Sequence, residues 1–182
     1  TAARVFGISP EEVDRSQRSQ AKAVNFGILY GQGAFGLAET LKIPRREAKA
    51  IIESYFSEFS DLKAYQNRVV EEAKEKGYVE TVLGRKRWLP DIVSANAVVR
   101  GFAERNAINA PIQGSAADII KLAMISIHQA LVGGGFQTKM ILQVHDELVF
   151  DVPKEELDAV SPLVRIHMEK AVNLAVPLEV EA

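Results

Sequence analysis

The first half of the chain carries apolar residues at helical spacing, in stretches bounded by residues that start or stop helices. Ser9-Pro10-Glu11-Glu12 has the pattern of a helix start, because a serine N-cap, a proline at the first position and a glutamate three residues after the cap form a capping box. Four longer helices are predicted beyond it, at residues 15–30 (ended by Gly31-Gln32-Gly33), 35–42, from Pro44 onwards and at 60–76 (stopped by Gly77).

The second half changes from helical to strand-like spacing. A small hairpin is predicted from residues 78–82 and 87–89, and a helix at 94–109 that Pro111 breaks before it resumes at 115–131. Strands are predicted at 139–144 and 147–152 around His145-Asp146, then a helix from about Pro153, kinked at Pro162, and a last strand at 178–181. The pattern predicts an α+β fold, with an all-helical front and a small antiparallel sheet behind it.

Composition restricts the class of protein. The chain has 182 residues, of which 47% are hydrophobic and 25% charged, the balance of a soluble globular protein rather than a disordered or collagenous one. No run approaches the roughly 20 apolar residues of a membrane span, so no membrane partner is expected. The absence of cysteine excludes disulfides, thiolate metal sites and a cysteine nucleophile. Because the sequence opens on Thr1 without an initiator methionine, we expect it to be part of a longer protein.

The net charge of -2 is unevenly distributed along the chain. Residues 1–90 hold 15 Lys+Arg against 12 Asp+Glu, a net +3, whereas residues 91–182 hold 7 against 12, a net -5. A basic front and an acidic back can place a polyanion beside a cation-binding centre, and they can equally be two solvated faces.

Arg18, Lys22, Phe26 and Tyr30 recur four residues apart in the second predicted helix. Steps of four keep them on one face within an arc of about 120°, at intervals of about 6 Å along the axis. Two cations one turn apart suit adjacent phosphates, and the aromatic residues beyond them suit a base or sugar. The alternative is a surface Arg-Lys pair beside two core aromatics. Gly27, which costs about 1 kcal/mol in a helix relative to alanine, predicts a close approach there.

Two adjacent carboxylates, Asp146 and Glu147, lie between apolar strands. His145-Asp146 is a poor choice for a turn made only for folding, because such turns need φ > 0 and favour Asn-Gly or Asp-Gly. Carboxylates at a rigid hairpin tip suit Mg²⁺, which prefers oxygen ligands and shares them with substrate phosphates. The alternative is an exposed turn whose polar residues face water, with His145 as a structural imidazole.

Arg105, Asn109 and Gln113 form a third set at four-residue spacing. These residue types donate hydrogen bonds to base edges and sugar oxygens, although amides beside a helix break are also common caps. Residues 84–88, Gly-Arg-Lys-Arg-Trp, form a basic tip with an aromatic residue, which suits a phosphate backbone or is simply a solvated loop.

Three segments resemble signatures of family A DNA polymerases, the DNA polymerase I group. Residues 18–31, Arg-Ser-Gln-Ala-Lys-Ala-Val-Asn-Phe-Gly-Ile-Leu-Tyr-Gly, resemble the family's fingers-helix motif. Residues 107–118 and 143–148 resemble two further signatures, in the right order, and the likeness covers almost the whole chain. The resemblance implies a right-hand polymerase, with residues 1–93 mostly in the fingers and 94–182 in the C-terminal part of the palm.

The resemblance also implies the reaction and the roles of individual residues. The reaction is template-directed DNA synthesis, in which a primer 3′-hydroxyl attacks the α-phosphate of a dNTP and releases pyrophosphate. Arg18 and Lys22 bind the triphosphate, Phe26 stacks near the base and sugar, and Tyr30 lies by the templating position. The implied catalytic residues are Asp146, Glu147 and Lys22, the implied Mg²⁺ ligands are Asp146 and Glu147, and the implied contacts to primer-template DNA are Arg105, Asn109, Gln113 and His145.

One departure from the family pattern affects activity. The family's other metal-binding aspartate lies on a palm strand that precedes the residue matching Thr1. We therefore expect these 182 residues alone to be inactive, with a weak or empty Mg²⁺ site. The resemblance further implies that the longer parent is monomeric, cytoplasmic and nucleoid-associated. A non-catalytic nucleic-acid-binding piece and a metal-dependent phosphohydrolase stay open as alternatives.

Overall fold

The computed structural model describes residues 9–181 and divides into two compact units, the first ending at Ile112 and the second beginning at Gln113. The α+β class is confirmed, since the described chain is mostly helical with two small antiparallel sheets. The functional division into residues 1–93 and 94–182 stays a prediction.

The described part of the first unit contains a 3₁₀ turn, then four consecutive helices and a hairpin. A 3₁₀ turn, Pro10–Glu12, comes first, where Ser9 N donates to Glu12 Oε2 at 3.1 Å as the capping box predicts. The elements that follow are α1 Arg15–Leu29, α2 Ala34–Leu41, α3 Arg45–Glu58, α4 Ser60–Lys76, strand β1 Tyr78–Glu80 and strand β2 Lys86–Trp88. The bounds of α4 match the prediction, because Gly77 caps it in the left-handed conformation at φ 77°.

Two apolar clusters hold the first unit together. The first joins α1, α2 and α3 through Val24, Ile28, Leu37, Ala38, Ala48 and Tyr55. The second joins α4, the hairpin and the next helix through Ala73, Val79, Leu89, Ile92, Ala103 and Ala107. Full burial of one such Val, Leu or Ile side chain stabilises the fold by about 1.5–3 kcal/mol, so both clusters fix the helices that carry the candidate site residues.

Helix α5, Ala97–Gly133, begins in the first unit and ends in the second. The second unit continues with strands β3 Lys139–Val144 and β4 Glu147–Asp151 and with helix α6 Leu157–Glu169, which runs through Pro162. Ala123, Ile127 and Leu131 of α5 pack against Val160 and Val164 of α6, and Met140, Leu148 and Phe150 of the sheet cover them.

The predicted break at Pro111 is wrong, because α5 is helical on both sides of it. Proline removes only one backbone hydrogen bond, the one to the carbonyl of Ala107. Buried residues precede it (Ala103, Ala107 and Ile108) and follow it (Ile120, Ala123 and Ile127). Tertiary packing therefore outweighs the local cost of the proline.

The predicted strand at residues 178–181 is also wrong, since the described chain has no regular structure there. A strand needs a hydrogen-bonded neighbour. Within the described residues each sheet has two strands, β1 with β2 and β3 with β4, and neither pairs with residues 178–181.

Helix α5 is long and apolar enough to pass a length-and-composition test for a membrane span, with a mean hydropathy of 1.3 over 18 residues. This differs from the expectation based on uninterrupted apolar runs, none of which approaches the roughly 20 residues of a membrane span. The core helix of a folded domain has the same composition, and α5 supplies buried residues to a cluster in each unit, Ala103 and Ala107 in one and Ala123 and Ile127 in the other. Only 28% of the 18-residue window is buried inside the structure, so packing within the two units accounts for part of its apolar character.

The start of β3 is held by one carboxylate, and this gives a prediction on pH. Glu156 accepts hydrogen bonds from Gln137 N (2.8 Å), Thr138 N (2.9 Å) and Thr138 Oγ1 (2.6 Å), which lower the pKa of the Glu156 carboxyl. The carboxyl has a lower pKa in the folded chain than in the unfolded chain, so its ionised form stabilises the fold. This stabilisation is complete above the unfolded pKa of about 4.3 and is lost as the pH falls through the folded-state pKa.

We expect the free energy of unfolding to fall between pH 5 and pH 3 more steeply in the wild type than in Glu156→Gln, since the amide cannot titrate (the window brackets the unfolded pKa of about 4.3). Urea denaturation of both chains across this range measures the difference. Glu155→Gln, at an exposed neighbouring carboxyl, is the matched control and should follow the wild type. Parallel curves for wild type and Glu156→Gln would contradict the assignment.

Candidate functional site

The helix that carries the first candidate set starts at a reciprocal cap. Asp14 Oδ1 accepts from Gln17 N at 2.7 Å, and Gln17 Oε1 accepts from Asp14 N at 2.9 Å. These two bonds satisfy backbone groups that would otherwise lack partners at the junction. The cap fixes the start of α1 one turn before its first candidate cation.

Helix α1 separates a buried face from an exposed one. Ala21, Val24 and Ile28 are buried at 4%, 0% and 1% exposure. Arg18 and Lys22 are exposed, Phe26 is 48% exposed, and Tyr30 is half-buried at the C-cap. The Phe26 and Tyr30 rings stack with centroids 6.1 Å apart and an interplanar angle of 22°. The four residues are therefore arranged along one helix, with neither aromatic ring enclosed in the core.

An open cleft of about 750 Å³ lies along the first half of α1. Among its described lining residues are the three cations Arg15, Arg18 and Lys22 together with the amide of Asn25, and no carboxylate. Within the described chain neither Arg18 nor Lys22 forms an ion pair. Phe26 and Tyr30 do not line this cleft but follow it along the helix. The cleft is thus an electropositive space of the size that ligand pockets commonly have.

The glycine inside α1 is explained by the turn that follows the helix. Gln32 folds back so that its Oε1 occupies the place where a Cβ on Gly27 would lie. Its Cγ lies 2.9 Å from where a Cβ on Gly36 would be, and its Nε2 donates to Thr40 Oγ1 at 3.0 Å. The close approach predicted at Gly27 is confirmed, and the group that approaches is this side chain.

The far end of α1 adjoins α5 within the first unit. Gly31 takes φ 76°, and a Cβ there would lie 3.1 Å from Ile108 Cδ1 and 3.4 Å from Arg105 Cγ. The structure therefore brings the end of the first candidate set next to Arg105 of the third. Arg105 is exposed, with its guanidinium 5.9 Å from the Phe102 ring centroid.

Asn109, one turn beyond Arg105, has a side-chain oxygen that is buried without a hydrogen-bond partner in the described chain. An unsatisfied buried acceptor costs about 1–3 kcal/mol. Gln113 is exposed and opens the second unit. The three members of the third set thus keep their four-residue spacing on α5.

The acidic hairpin forms where it was predicted. Val144 pairs with Glu147, which leaves His145-Asp146 as a two-residue loop. His145 has φ 54°, a left-handed conformation that costs a non-glycine residue about 1–2 kcal/mol. Gln143 Nε2 donates to His145 O at 2.8 Å and helps to hold the turn. Asp146 and Glu147 are both exposed, while Leu148 beside them packs on the core of the second unit.

The donor set of this hairpin decides how well it fits a metal ion. No group of three or more His, Asp or Glu side chains that could hold a metal occurs among residues 9–181. Two adjacent carboxylates on a strained, anchored turn match Mg²⁺, which is commonly held by one or two carboxylates together with substrate phosphates and water. Asp146 and Glu147 therefore fit a site that further oxygen ligands complete.

Two buried polar contacts behind α1 escaped the sequence analysis. The hydroxyl of Tyr55 on α3 donates to Asn25 Oδ1 at 2.5 Å, and burial raises the pKa of this phenol, which keeps it a neutral donor. Gln66 on α4, 4% exposed, donates through Nε2 to Ile28 O at 2.8 Å. In the sequence, Gln66 is marked only by its position, since it is an amide among apolar residues at helical spacing on α4.

The chain belongs to DNA polymerase family A, whose family model matches residues 1–182. DNA polymerase I of Streptococcus pneumoniae is 59% identical over 179 residues, which cover 98% of this chain and 20% of that protein. DNA polymerase I of Geobacillus stearothermophilus is 54% identical over 181 residues, 100% of this chain and 21% of that protein. The chain therefore spans about a fifth of the length of these curated relatives.

A solved structure of the POL domain of Pol1 from M. smegmatis, in complex with DNA primer-template and dNTP, matches the chain with a TM-score of 0.94. The two are 49% identical, and the match covers 98% of this chain and 31% of that one. The expected family and fold class are confirmed by these similarities.

The packing of Gln32 against Gly27 gives a testable coupling. Alanine favours a helix over glycine by about 1 kcal/mol, so Gly27→Ala should stabilise the chain by about that amount in a Gln32→Ala background. In the wild-type background the new Cβ displaces the Gln32 side chain, and we expect the gain to vanish. Chemical denaturation of the four proteins should give a coupling energy of about 1 kcal/mol, and additivity within about 0.3 kcal/mol would contradict the contact.

Proposed function

We propose that the chain forms the fingers and the C-terminal part of the palm of a longer polymerase, here called the parent polymerase, that carries out template-directed DNA synthesis. The observation that carries the proposal is the exposed face of α1, where Arg18 and Lys22 line a cleft with no carboxylate among its described lining residues and two stacked rings follow. Membership of DNA polymerase family A supports the same reading.

Arg18 and Lys22 bind the triphosphate of the incoming dNTP. Both are exposed cations one turn apart, without an ion pair in the described chain, so phosphate oxygens meet no competing carboxylate from the described lining of the cleft. Phe26 stacks near the base and sugar, and Tyr30 lies by the templating base. Lys22 also has a catalytic role, because a fixed ammonium stabilises the charge that develops on the departing pyrophosphate.

Arg105, Asn109, Gln113 and His145 contact the primer-template DNA. Asn109 lies one turn beyond Arg105 on the same helix, and side-chain amides and guanidinium groups are common donors to nucleic acids. The exposed guanidinium of Arg105 suits phosphate or base contacts. The solved relative is a complex with DNA primer-template and dNTP, and the same two partners are proposed for this chain.

Asp146 and Glu147 would hold the divalent metal, Mg²⁺, with ligands from upstream of this chain and from the substrate. Mg²⁺ bound there would supply activation of the primer 3′-hydroxyl and charge neutralisation of the leaving group. The strained turn at His145 keeps the two carboxylates at the hairpin tip, and the partly buried side chain of Leu148 packs on the core behind them. For these 182 residues alone we propose a weak or empty metal site. We propose that the parent polymerase is monomeric, cytoplasmic and nucleoid-associated, without a membrane partner.

Primer extension by the parent polymerase tests the proposal. Asp146→Asn keeps the shape of the turn and removes the charge, so we expect extension to fall by about a thousandfold or more while affinity for primer-template DNA stays within about twofold. Asp151→Asn, an exposed carboxylate at the far end of β4, is the matched control and should extend primers like the wild type.

The 182-residue chain without upstream residues should give no detectable extension. An active Asp146→Asn parent, or Mg²⁺-dependent extension by the isolated chain, would contradict the role of Asp146. A parent that binds primed DNA but never extends it would instead favour a non-catalytic binding piece.

A further inference from the structure

The C-terminal end of α1 lacks intrahelical donors for its last carbonyls, as every helix end does. Backbone groups of the following turn supply three of them, since Tyr30 N donates to Phe26 O (2.9 Å), Gln32 N to Gly27 O (2.8 Å) and Gly31 N to Ile28 O (3.0 Å). The carbonyl of Leu29 receives its donor from a different helix.

That donor is the side-chain amide of Gln66 on α4. Its Nε2 lies 2.8 Å from Ile28 O and 3.3 Å from Leu29 O, and the residue is 4% exposed. Only the nitrogen of an amide can donate to two carbonyls, so these partners fix the orientation of the group. One buried side chain therefore bonds the last two residues of α1 directly to α4.

The position of Gln66 along α4 makes an amide unexpected. Leu62, one turn before, packs on the first apolar cluster, and Val69, Val70 and Ala73, one to two turns after, belong to the second. Helical spacing predicts an apolar residue between them. Burying an amide without partners is unfavourable, so its presence is explained by the two carbonyls that it satisfies.

The turn that Gln66 holds carries the aromatic part of the candidate site. Ile28 and Leu29 lie between Phe26 and Tyr30, whose rings stack on the exposed side of the same turn. Apolar packing of Ile28 resists withdrawal of the helix from the core, but packing alone tolerates small rolls and shifts, whereas a hydrogen bond has a direction. Gln66 therefore fixes the rotation of this turn about the helix axis.

We propose that Gln66 is a positioning residue, which orients the Phe26–Tyr30 turn for the incoming nucleotide by donating to the carbonyls of Ile28 and Leu29. The inference rests on the proposed function, because it assigns the consequence of that orientation to dNTP binding. Gln66 itself touches neither substrate nor metal in this assignment.

Three substitutions in the parent polymerase separate hydrogen bonding from packing. Gln66→Met keeps the length and raises the apolar character but removes both donors. Gln66→Glu keeps the shape and faces the two carbonyls with acceptors only, at the negative end of the helix. Gln66→His keeps a ring N–H that can donate to a carbonyl. Asn67→Met, at the exposed next position, is the matched control.

The measurements are KM for dNTP and kcat with saturating primer-template, at a temperature where circular dichroism shows every variant folded. For Gln66→Met we expect KM to rise about fivefold to tenfold, the effect of one or two lost hydrogen bonds. Gln66→Glu should raise KM for dNTP further than Gln66→Met does, while the KM of Gln66→His and of Asn67→Met should stay within about twofold of the wild type. The affinity for primer-template DNA should not change in any of them.

A packing role predicts the opposite order, with Gln66→Met closest to the wild type and Gln66→His and Gln66→Glu impaired. That order, or a KM for Gln66→Met within twofold of the wild type, would overturn the proposal. If Gln66→Glu fails to fold, the comparison of Gln66→Met with Gln66→His still decides. The wild-type parent must extend primed DNA before any variant is compared. If it does not, the proposed function fails, and this result is distinct from any result on Gln66.

Discussion

The candidate site depends on how α1 is held from behind. Val24 and Ile28 lie in the core of the first unit, which leaves the side with Arg18, Lys22 and Phe26 to the solvent. Apolar burial fixes the distance of the helix from the core but not its rotation, because dispersion and hydrophobic contacts have little directionality. Directional bonds from Tyr55 and Gln66 tie the helix to α3 and α4, and we propose that they set its rotation.

The acidic hairpin, like α1, is held by apolar packing on one side and presents its polar residues on the other. Apolar strand residues such as Leu148 anchor it in the second unit, while its tip holds His145 in a left-handed conformation. A glycine there would relieve the strain and remove the side chain. A non-glycine residue held at positive φ beside two exposed carboxylates is the kind of local cost that accompanies functional turns.

Local signals predicted the parts of the fold that short-range chemistry decides. Helix α4 was bounded correctly because Gly77 provides the left-handed cap, and the hairpin loop because His145-Asp146 interrupts two apolar runs. Pro111 was misjudged because buried residues on both sides keep α5 intact, which spacing within one segment does not reveal. Gln66 was not singled out, since its partner carbonyl on Ile28 is 38 residues away in sequence.

The central claim is that the exposed cations of α1 bind a nucleotide triphosphate. Its most direct test is the dissociation constant of the correct dNTP for the parent polymerase bound to a primer-template whose primer lacks a 3′-hydroxyl, so that binding occurs without chemistry. Lys22→Ala should raise this constant by about tenfold to a hundredfold, the effect of losing a charge-assisted hydrogen bond. Lys49→Ala, an exposed lysine on α3, should leave it unchanged. Equal constants for wild type and Lys22→Ala would contradict the account.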